Sequence, residues 1–297
     1  MNEIRLDGQV AVVTGAGRGL GRAHALLLAA RGAAVVVNDV GAALDGVGAE
    51  LTPAGQVVKE ITEAGGSAVA DATDISTPEG AQRVVDLAVE TFGQLDILVN
   101  NAGILRDRTM AKLTRDEVDP VLAVHLGGTV WMTKAAWPVF TERRYGRIVN
   151  TTSAAGLFGN FGQTAYAAAK AAIVGVTRTL ALEGARHGIA VNAIEPGART
   201  RMTEDLLGEL ADRLDPGLVS PLVVWLADPA CDVTGEVYNV GGGRVARVVV
   251  AQTPGYFSRS VSPEEIRDNW HQINDLTEAT VVETFQQELD LLVRQLS

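Results

Sequence analysis

The sequence predicts an α/β fold in which a doubly wound parallel sheet is covered by helices on both faces. Short segments that are apolar throughout alternate with segments of helical length along most of the 297-residue chain. A strand without polar alternation is typical of a parallel sheet buried on both sides. The alternation continues without a linker to about residue 245. We therefore expect one domain over 1–245 and a helical extension over 246–297.

The predicted elements follow one another in a regular order. The strands cover 9–14, 34–37, 67–73, 95–99, 146–152, 189–194 and 236–240, and the helices cover 19–31, 78–92, a long segment opened by Thr114, and 163–187. Thr77 before Pro78 is typical of a helix start, and Thr114 with Glu117 forms a capping box. Residues 40–56 form a Gly- and Ala-rich connection that is longer than usual.

The extension carries two helix signals. Residues 262–265 (SPEE) form a capping box, and residues 279–295 place apolar side chains at helical spacing. We expect these helices to pack on the main domain or on a sister subunit. The alternative is a lid over a bulky substrate.

Composition and charge disfavour several classes of protein. The formal net charge is −11 and no basic run occurs, which disfavours a nucleic-acid partner. Cys231 is the single cysteine, so the chain has no internal disulfide. The N-terminus lacks a signal-peptide pattern, no apolar stretch reaches the roughly 18 residues that span a bilayer, and the last three residues, QLS, are not the peroxisomal Ser-Lys-Leu signal. We expect a cytoplasmic protein, and no residue is assigned to a metal.

A glycine-rich turn between the first strand and the first helix predicts a dinucleotide site. Its residues are Gly15, Gly17, Arg18, Gly19, Leu20 and Gly21. Glycine lets phosphate oxygens approach backbone N–H groups, and the helix N-terminus adds partial positive charge. The alternative is a tight turn with no ligand.

Asp39 ends the second strand about twenty residues after these glycines. A carboxylate there accepts hydrogen bonds from both adenosine ribose hydroxyls and repels a 2′-phosphate, which favours NAD(H) over NADP(H). Arg18 leaves the question open, because a basic residue in the glycine loop can pair with a 2′-phosphate. Further cofactor candidates follow the third and fourth strands, namely Asp74, Ile75, Asn100, Ala102 and Gly103.

Tyr166 and Lys170 lie four residues apart near the start of a predicted helix and therefore share a face. A free tyrosine has a pKa of roughly 10, and a nearby ammonium lowers the pKa of the phenol so that it can act as a base. The lysine can also bind the nicotinamide ribose. Ser153, at the end of the strand 146–152, can hold the reacting oxygen, with Thr151 and Thr152 as rival hydroxyls. A surface Tyr–Lys pair is the alternative.

Together these residues resemble the signature of the short-chain dehydrogenase/reductase family. The resemblance covers about residues 1–245 and includes the glycine turn, Asn100-Asn101-Ala102-Gly103, Ser153, Tyr166, Lys170 and Pro196-Gly197. It implies a Rossmann-type sheet of about seven strands, catalysis by Ser153, Tyr166 and Lys170, and a homodimer or homotetramer.

A narrower resemblance concerns the segments VVVNDVG (35–41), NNAGILRDR (100–108) and GNFGQTAYAAAK (159–170). They are similar to the (3R)-hydroxyacyl-CoA dehydrogenase domain of peroxisomal multifunctional enzyme type 2, also called 17β-hydroxysteroid dehydrogenase type 4. This implies a stand-alone unit that oxidises a (3R)-hydroxyacyl-CoA with a fatty or steroid side chain in β-oxidation. A 17β-hydroxysteroid is an alternative substrate, and Arg106, Arg108, Arg199 and Arg201 are candidate partners for CoA phosphates, or ordinary surface charges.

Two positions depart from the general family. His125 stands where the family carries an asparagine whose helix kink holds a proton-relay water, so His125 either holds that water or packs. The threonine that meets the nicotinamide lies slightly further along than usual, and Thr200, after Pro196, is the candidate.

Two alternative functions belong to other classes of protein. They are a non-catalytic NAD-binding regulator and a structural subunit of a multienzyme assembly.

Overall fold

The computed structural model describes residues 3–43, 45, 52–198 and 213–296. The chain divides into two compact units, Met1–Ala246 and Arg247–Ser297.

Seven strands of an eight-stranded sheet form the centre of the first unit, and the eighth strand begins in that unit. The strands are β1 (Val10–Thr14), β2 (Ala34–Asn38), β3 (Ser67–Asp71), β4 (Ile97–Asn100), β5 (Gly146–Thr151), β6 (Ile189–Gly197), β7 (Val237–Gly241) and β8 (Arg244–Val248). Their spatial order is β3-β2-β1-β4-β5-β6-β7-β8, and β1 to β7 pair in parallel. The predicted doubly wound α/β class is confirmed, and all seven predicted strands are present.

The eighth strand, β8, was not predicted. Only Gly242 and Gly243 separate it from β7, and both have positive φ, at 56° and 83°. A two-residue connection of this kind closes an antiparallel hairpin. The three glycines at 241–243 therefore add an edge strand to the sheet instead of ending it.

Helices cover both faces of the sheet. In chain order they are α1 (Gly19–Ala30), α2 (Thr52–Glu63), α3 (Pro78–Phe92), α4 (Arg115–Leu122), α5 (Gly128–Arg143), α6 (Ala154–Phe158), α7 (Thr164–Gly184) and α8 (Ser220–Ala227). The predicted connection over 40–56 was too long, because α2 already begins at Thr52. The long helix predicted from Thr114 is interrupted by a π-helical turn, Ala123–Gly127, which separates α4 from α5.

The strands bury apolar side chains on both faces. Along β1 and β2, Val13 and Val37 belong to the core under α1, α2 and α8, whereas Val12 and Val36 belong to the core under α3 and α5. Successive side chains of a strand point to opposite faces, so an apolar run supplies both layers at once. The carboxyl ends of the parallel strands are thereby held together at one edge, where the predicted site residues lie.

One helix among the described residues, Thr164–His187, has the length and mean hydropathy of a membrane span. It contains α7, packs against β6, and buries Lys170, Ile173 and Thr177 within the first unit. This burial indicates a core helix.

The second unit contains a two-stranded sheet and three short helices. Strand β9 (Ala251–Gln252) pairs antiparallel with β10 (Thr280–Val281), and the helices are α9 (Pro263–Asp268), α10 (Trp270–Ile273) and α11 (Phe285–Leu296). The capping box at Ser262 is present. The helix predicted over 279–295 begins only at Phe285, because Thr280 and Val281 are used in strand pairing.

Candidate active site

A cavity of about 490 Å³ opens at the carboxyl ends of the parallel strands. It is lined by most of the predicted site residues, namely Gly15, Arg18, Gly19, Leu20, Asp39, Asp74, Ile75, Ala102, Gly103, His125, Ser153, Tyr166, Lys170 and Pro196. Residues far apart in the sequence are thus brought to one surface. Gly17, Gly21 and Asn100 are not part of the lining. Thr200, Arg199 and Arg201 lie outside the described residues.

The glycine turn packs too closely to accept side chains. Gly15 has a φ of 63°, and a Cβ there would lie 2.7 Å from the Cα of Ala102. A Cβ on Gly17 would lie 2.8 Å from the Oδ2 of Asp39, and one on Gly21 would collide with the Gly15 carbonyl. Gly17 and Gly21 therefore shape the turn from behind, while Gly15 and Gly19 face the cavity. This fits a phosphate cradle built from backbone N–H groups.

Asp39 is tied to the glycine turn by its carboxylate. Its Oδ2 accepts the N–H of Gly17 at 2.8 Å, and its Oδ1 accepts the N–H of Gly41 at 2.8 Å. A carboxylate offers about four acceptor positions, so both oxygens keep capacity for ribose hydroxyls. The exposed Arg18 donates to the carbonyl of Ala42 at 3.4 Å. The Asp39 carboxylate is therefore held in place at this end of the cavity before any ligand binds.

The asparagine that holds the glycine turn is Asn101, which sequence reasoning did not select. Its Nδ2 donates to the carbonyls of Thr14 at 2.9 Å and Gly15 at 3.1 Å. Asn100 instead points into the protein, where its Nδ2 donates to the Oδ1 of Asn150 at 2.9 Å. The sequence did carry a signal for this choice. Adjacent residues of a strand face opposite sides, so Asn100 and Asn101 could not both face the glycine turn.

Ser153, Tyr166 and Lys170 meet where β5, α6 and α7 converge. Ser153 is the N-cap of α6 and hydrogen-bonds to Tyr166. The hydroxyl of Thr152 donates to the carbonyl of Lys170 at 2.7 Å, so this rival is engaged elsewhere. Thr151 Oγ1 is buried without a hydrogen-bond partner among the described residues. The geometry therefore favours Ser153 as the hydroxyl that acts with Tyr166.

Burial dominates the ionisation of both groups on α7. It lowers the pKa of Lys170 to about 7. Burial also raises the pKa of Tyr166. The hydrogen bond from Ser153 lowers that pKa, and the charge of Asp107 raises it further. Lys170 Nζ donates to the carbonyl of Thr151 at 2.7 Å and lies 5.7 Å from the centre of the Tyr166 ring. Burial is thus the largest influence on the pKa of Tyr166, and a lowering of that pKa by Lys170 stays a prediction.

His125 lies in the π-helical turn, against the ring of Tyr166. The two rings meet edge to face, with centres 5.2 Å apart. His125 Nε2 is 2.8 Å from the carbonyl oxygen of Ile104 and 3.1 Å from its nitrogen. The shorter contact favours a tautomer in which Nε2–H donates to the carbonyl, and Nδ1 is then a buried acceptor without a partner among the described residues. Burial, with the charge of Lys170, lowers the pKa of His125 to about 3.

Gly103 leaves room for this ring. A Cβ at residue 103 would collide with Cε1 of His125 and lie 3.0 Å from its Nδ1. The glycine that sequence reasoning assigned to the cofactor site therefore also accommodates His125.

Arg106 has a structural role that the sequence did not reveal. Its Nε donates to the carbonyl of Asp45 and its Nη1 to the carbonyl of Asp116, both at 2.8 Å. Pro120 has no N–H for the carbonyl four residues earlier in α4, so Arg106 supplies the missing donor at Asp116. Arg108 is more exposed than Arg106, and its Nε lies 3.6 Å from the Oε1 of Glu117. Of these two candidates for a CoA phosphate, Arg108 is the less constrained.

Comparison with known proteins identifies the family. The sequence profile described as short chain dehydrogenase matches residues 9–209. The chain belongs to this family. It is therefore an oxidoreductase of a family whose members bind NAD or NADP.

Three similar proteins cover most of the chain. Mouse peroxisomal multifunctional enzyme type 2 is 44% identical over 289 residues, which are 96% of this chain and 39% of that protein. A hydroxyacyl-CoA dehydrogenase of Mycobacterium tuberculosis is 44% identical over 283 residues, 89% of this chain and 85% of that protein. The crystal structure of a short chain dehydrogenase from Mycobacterium avium matches with a TM-score of 0.80 and 46% identity, covering 90% of this chain and 95% of that one. The resemblance to the multifunctional enzyme is confirmed, and the chain spans less than half of that enzyme's length.

Proposed function

We propose that the protein transfers hydride between NAD(H) and a secondary alcohol or ketone, and that its substrate is a (3R)-hydroxyacyl-CoA. The observation that carries this proposal is the meeting of Ser153, Tyr166 and Lys170 in one cavity with the Asp39 carboxylate. A regulator that only binds the dinucleotide has no need of a hydroxyl pair beside a buried lysine.

Each side chain has a task in this reaction. The glycine turn, Asp39 and Lys170 would hold NAD⁺, which would serve as the hydride acceptor when bound. Ser153, which hydrogen-bonds to Tyr166 before substrate binds, would turn its single O–H to the substrate oxygen and orient it. Tyr166, as phenolate, removes the hydroxyl proton, and both groups stabilise the charge that develops on the oxygen. Because burial raises the pKa of Tyr166, we expect alcohol oxidation to speed up as the pH rises above neutrality.

We propose that His125 accepts a hydrogen bond from a water that returns the proton of Tyr166 to solvent. Its pKa near 3 keeps the ring neutral at assay pH, so the relay would use the Nδ1 lone pair and not an imidazolium. His125→Leu removes this acceptor, and we expect kcat for oxidation to fall about a hundredfold, within the range of acid–base contributions. His125→Asn restores an acceptor and should recover most of the rate. An unchanged kcat and pH profile in both variants would leave His125 as a packing residue.

The substrate class is supported by the relatives. Mouse peroxisomal multifunctional enzyme type 2 and the mycobacterial hydroxyacyl-CoA dehydrogenase both align along nearly the whole chain. Near Tyr166 the cavity is lined by the apolar side chains of Ile104 and Val124, which suits an acyl chain or a steroid. A free 17β-hydroxysteroid would meet the same apolar wall, and it would not need a phosphate-binding cation such as Arg108.

A substrate panel tests the proposal. We expect NADH formation from (3R)-hydroxyacyl-CoAs at a kcat/KM at least about a hundredfold above that for the (3S) isomers and for 17β-hydroxysteroids, since one well-placed group discriminates to this extent. Acyl chains of several lengths and a steroid side-chain thioester define the pocket. A preference for free 17β-hydroxysteroid over every CoA ester would overturn the assignment. A homo-oligomer in the cytoplasm remains part of the proposal and can be tested by sedimentation and by cell fractionation.

A further inference from the structure

A buried carboxylate lies next to the catalytic serine and has no task in the reaction described above. Glu195 is on β6 and is only 5% exposed. Its Oε2 accepts a hydrogen bond of 2.6 Å from the Nδ2 of Asn239, its register partner on β7. The Oδ1 of Asn239 in turn accepts a hydrogen bond from Arg244 on β8. A buried carboxylate is costly unless it is hydrogen-bonded, and here two further strands supply the partners.

The carboxylate also reaches the turn that carries Ser153. Burial raises the pKa of Glu195, while hydrogen bonds from Asn239 and from the backbone N–H of Ala154 act to lower that pKa. Ala154 is the first residue of α6, and the Oγ of Ser153 accepts the N–H of Ala155 at 3.2 Å. On the other side of the turn, the N–H of Thr152 donates to the carbonyl of Ile194 at 2.8 Å. Strand β6 thus contacts the Ser153 turn on both sides of the serine. Its Ile194 carbonyl binds Thr152, and its Glu195 side chain binds Ala154.

We propose that Glu195, held by Asn239 and Arg244, is a positioning residue that fixes the Ser153 hydroxyl on Tyr166. This inference rests on the proposed oxidoreductase function for its kinetic consequence. It predicts more than a loss of stability, because Ser153 acts on Tyr166 through a hydrogen bond. If the Ala154 N–H loses its acceptor, the Ser153 turn is free to shift and that hydrogen bond weakens.

Glu195→Ala should therefore lower kcat about tenfold, the cost of one misplaced hydrogen bond. We expect the Kd for NADH to stay within about twofold, because Glu195 is not in the cofactor cradle. Glu195→Gln keeps an acceptor for Ala154 but sets an amide N–H against the N–H of Asn239. In the double variant Glu195→Gln/Asn239→Asp the new amide donates to the new carboxylate, which pairs with Arg244, so activity should recover. Glu183→Ala, at an exposed glutamate of α7, is the matched control.

The decisive readout is the ionisation of Tyr166. Titration by NMR of 13Cζ-labelled tyrosine, with Tyr166→Phe used to assign the signal, reports the pKa of this phenol without any substrate. We expect the pKa to rise in Glu195→Ala, to rise in Ser153→Ala, and to rise no further when both are combined. An unchanged Tyr166 titration with a lowered Tm would show that Glu195 is structural only, and additive shifts would show that it does not act through Ser153. If the wild-type protein oxidised no alcohol, the proposed function would fail while the titration still decided the role of Glu195.

Discussion

Tyr166→Phe should reduce kcat for alcohol oxidation by about a thousandfold or more while the Kd for NADH changes by less than about twofold. The substitution removes the phenolic oxygen, which is the only atom of this side chain that can take the substrate proton. It keeps the ring that meets His125 edge to face at 5.2 Å, so the packing of α7 against the π-helical turn is retained. The expected loss is therefore confined to the chemical step.

Tyr145→Phe provides the matched control. Tyr145 is half-buried, and its hydroxyl hydrogen-bonds to Gln9 and the carbonyl of Ala227, both at 3.3 Å, away from the cavity. Its loss should lower Tm slightly and leave kcat unchanged. Stopped-flow measurement of NADH formation in a single turnover separates the chemical step from product release. Single-turnover rates within tenfold of wild type for Tyr166→Phe would contradict its assignment as the base.

The sequence was sufficient for the fold class because periodicity reports burial directly. Apolar runs such as residues 34–37 have to be covered on both faces, and strands of this kind are typical of parallel sheets flanked by helices. The glycine turn was equally informative, because at Gly15 and Gly21 any side chain would collide with backbone. The positive φ of Gly15 and the close approach of Gly21 to the Gly15 carbonyl both favour glycine, so the sequence displays them directly.

Other parts of the site depend on contacts that no local pattern encodes. The choice between Asn100 and Asn101 is made by which face of β4 meets the glycine turn. In the sequence Glu195 is a single acidic residue in an apolar strand. Its hydrogen-bonded chain with Asn239 and Arg244 forms only when β7 and β8 lie beside β6. The pKa of Tyr166 is decided by the depth of burial, which a four-residue spacing does not report. Sequence reasoning therefore selected candidate reacting groups that the structure brings into one cavity, and it missed the residues that hold them.

Wild-type protein should prefer NAD⁺ to NADP⁺ by at least about a hundredfold in kcat/KM, and Asp39→Asn should reduce that preference at least about tenfold. A carboxylate about 4 Å from a phosphate interacts unfavourably by roughly 1–4 kcal/mol for each unit of phosphate charge, depending on exposure. Asparagine removes this repulsion. It also offers a single acceptor oxygen to the N–H groups of Gly17 and Gly41, so the KM for NAD⁺ should rise as well.

Arg18→Ala separates the two explanations for a cofactor preference. If the Asp39 charge decides, this variant keeps the preference for NAD⁺, because within the described part of the chain the arginine donates to the Ala42 carbonyl and leaves the carboxylate in place. If Arg18 instead pairs with a 2′-phosphate, the wild-type protein uses NADP⁺ at least as well as NAD⁺, and Arg18→Ala selectively destroys that activity. Initial rates with both cofactors at saturating alcohol distinguish these patterns. Equal or better use of NADP⁺ by the wild type would reject the role given to Asp39, while the Tyr166→Phe result would still stand for the chemistry.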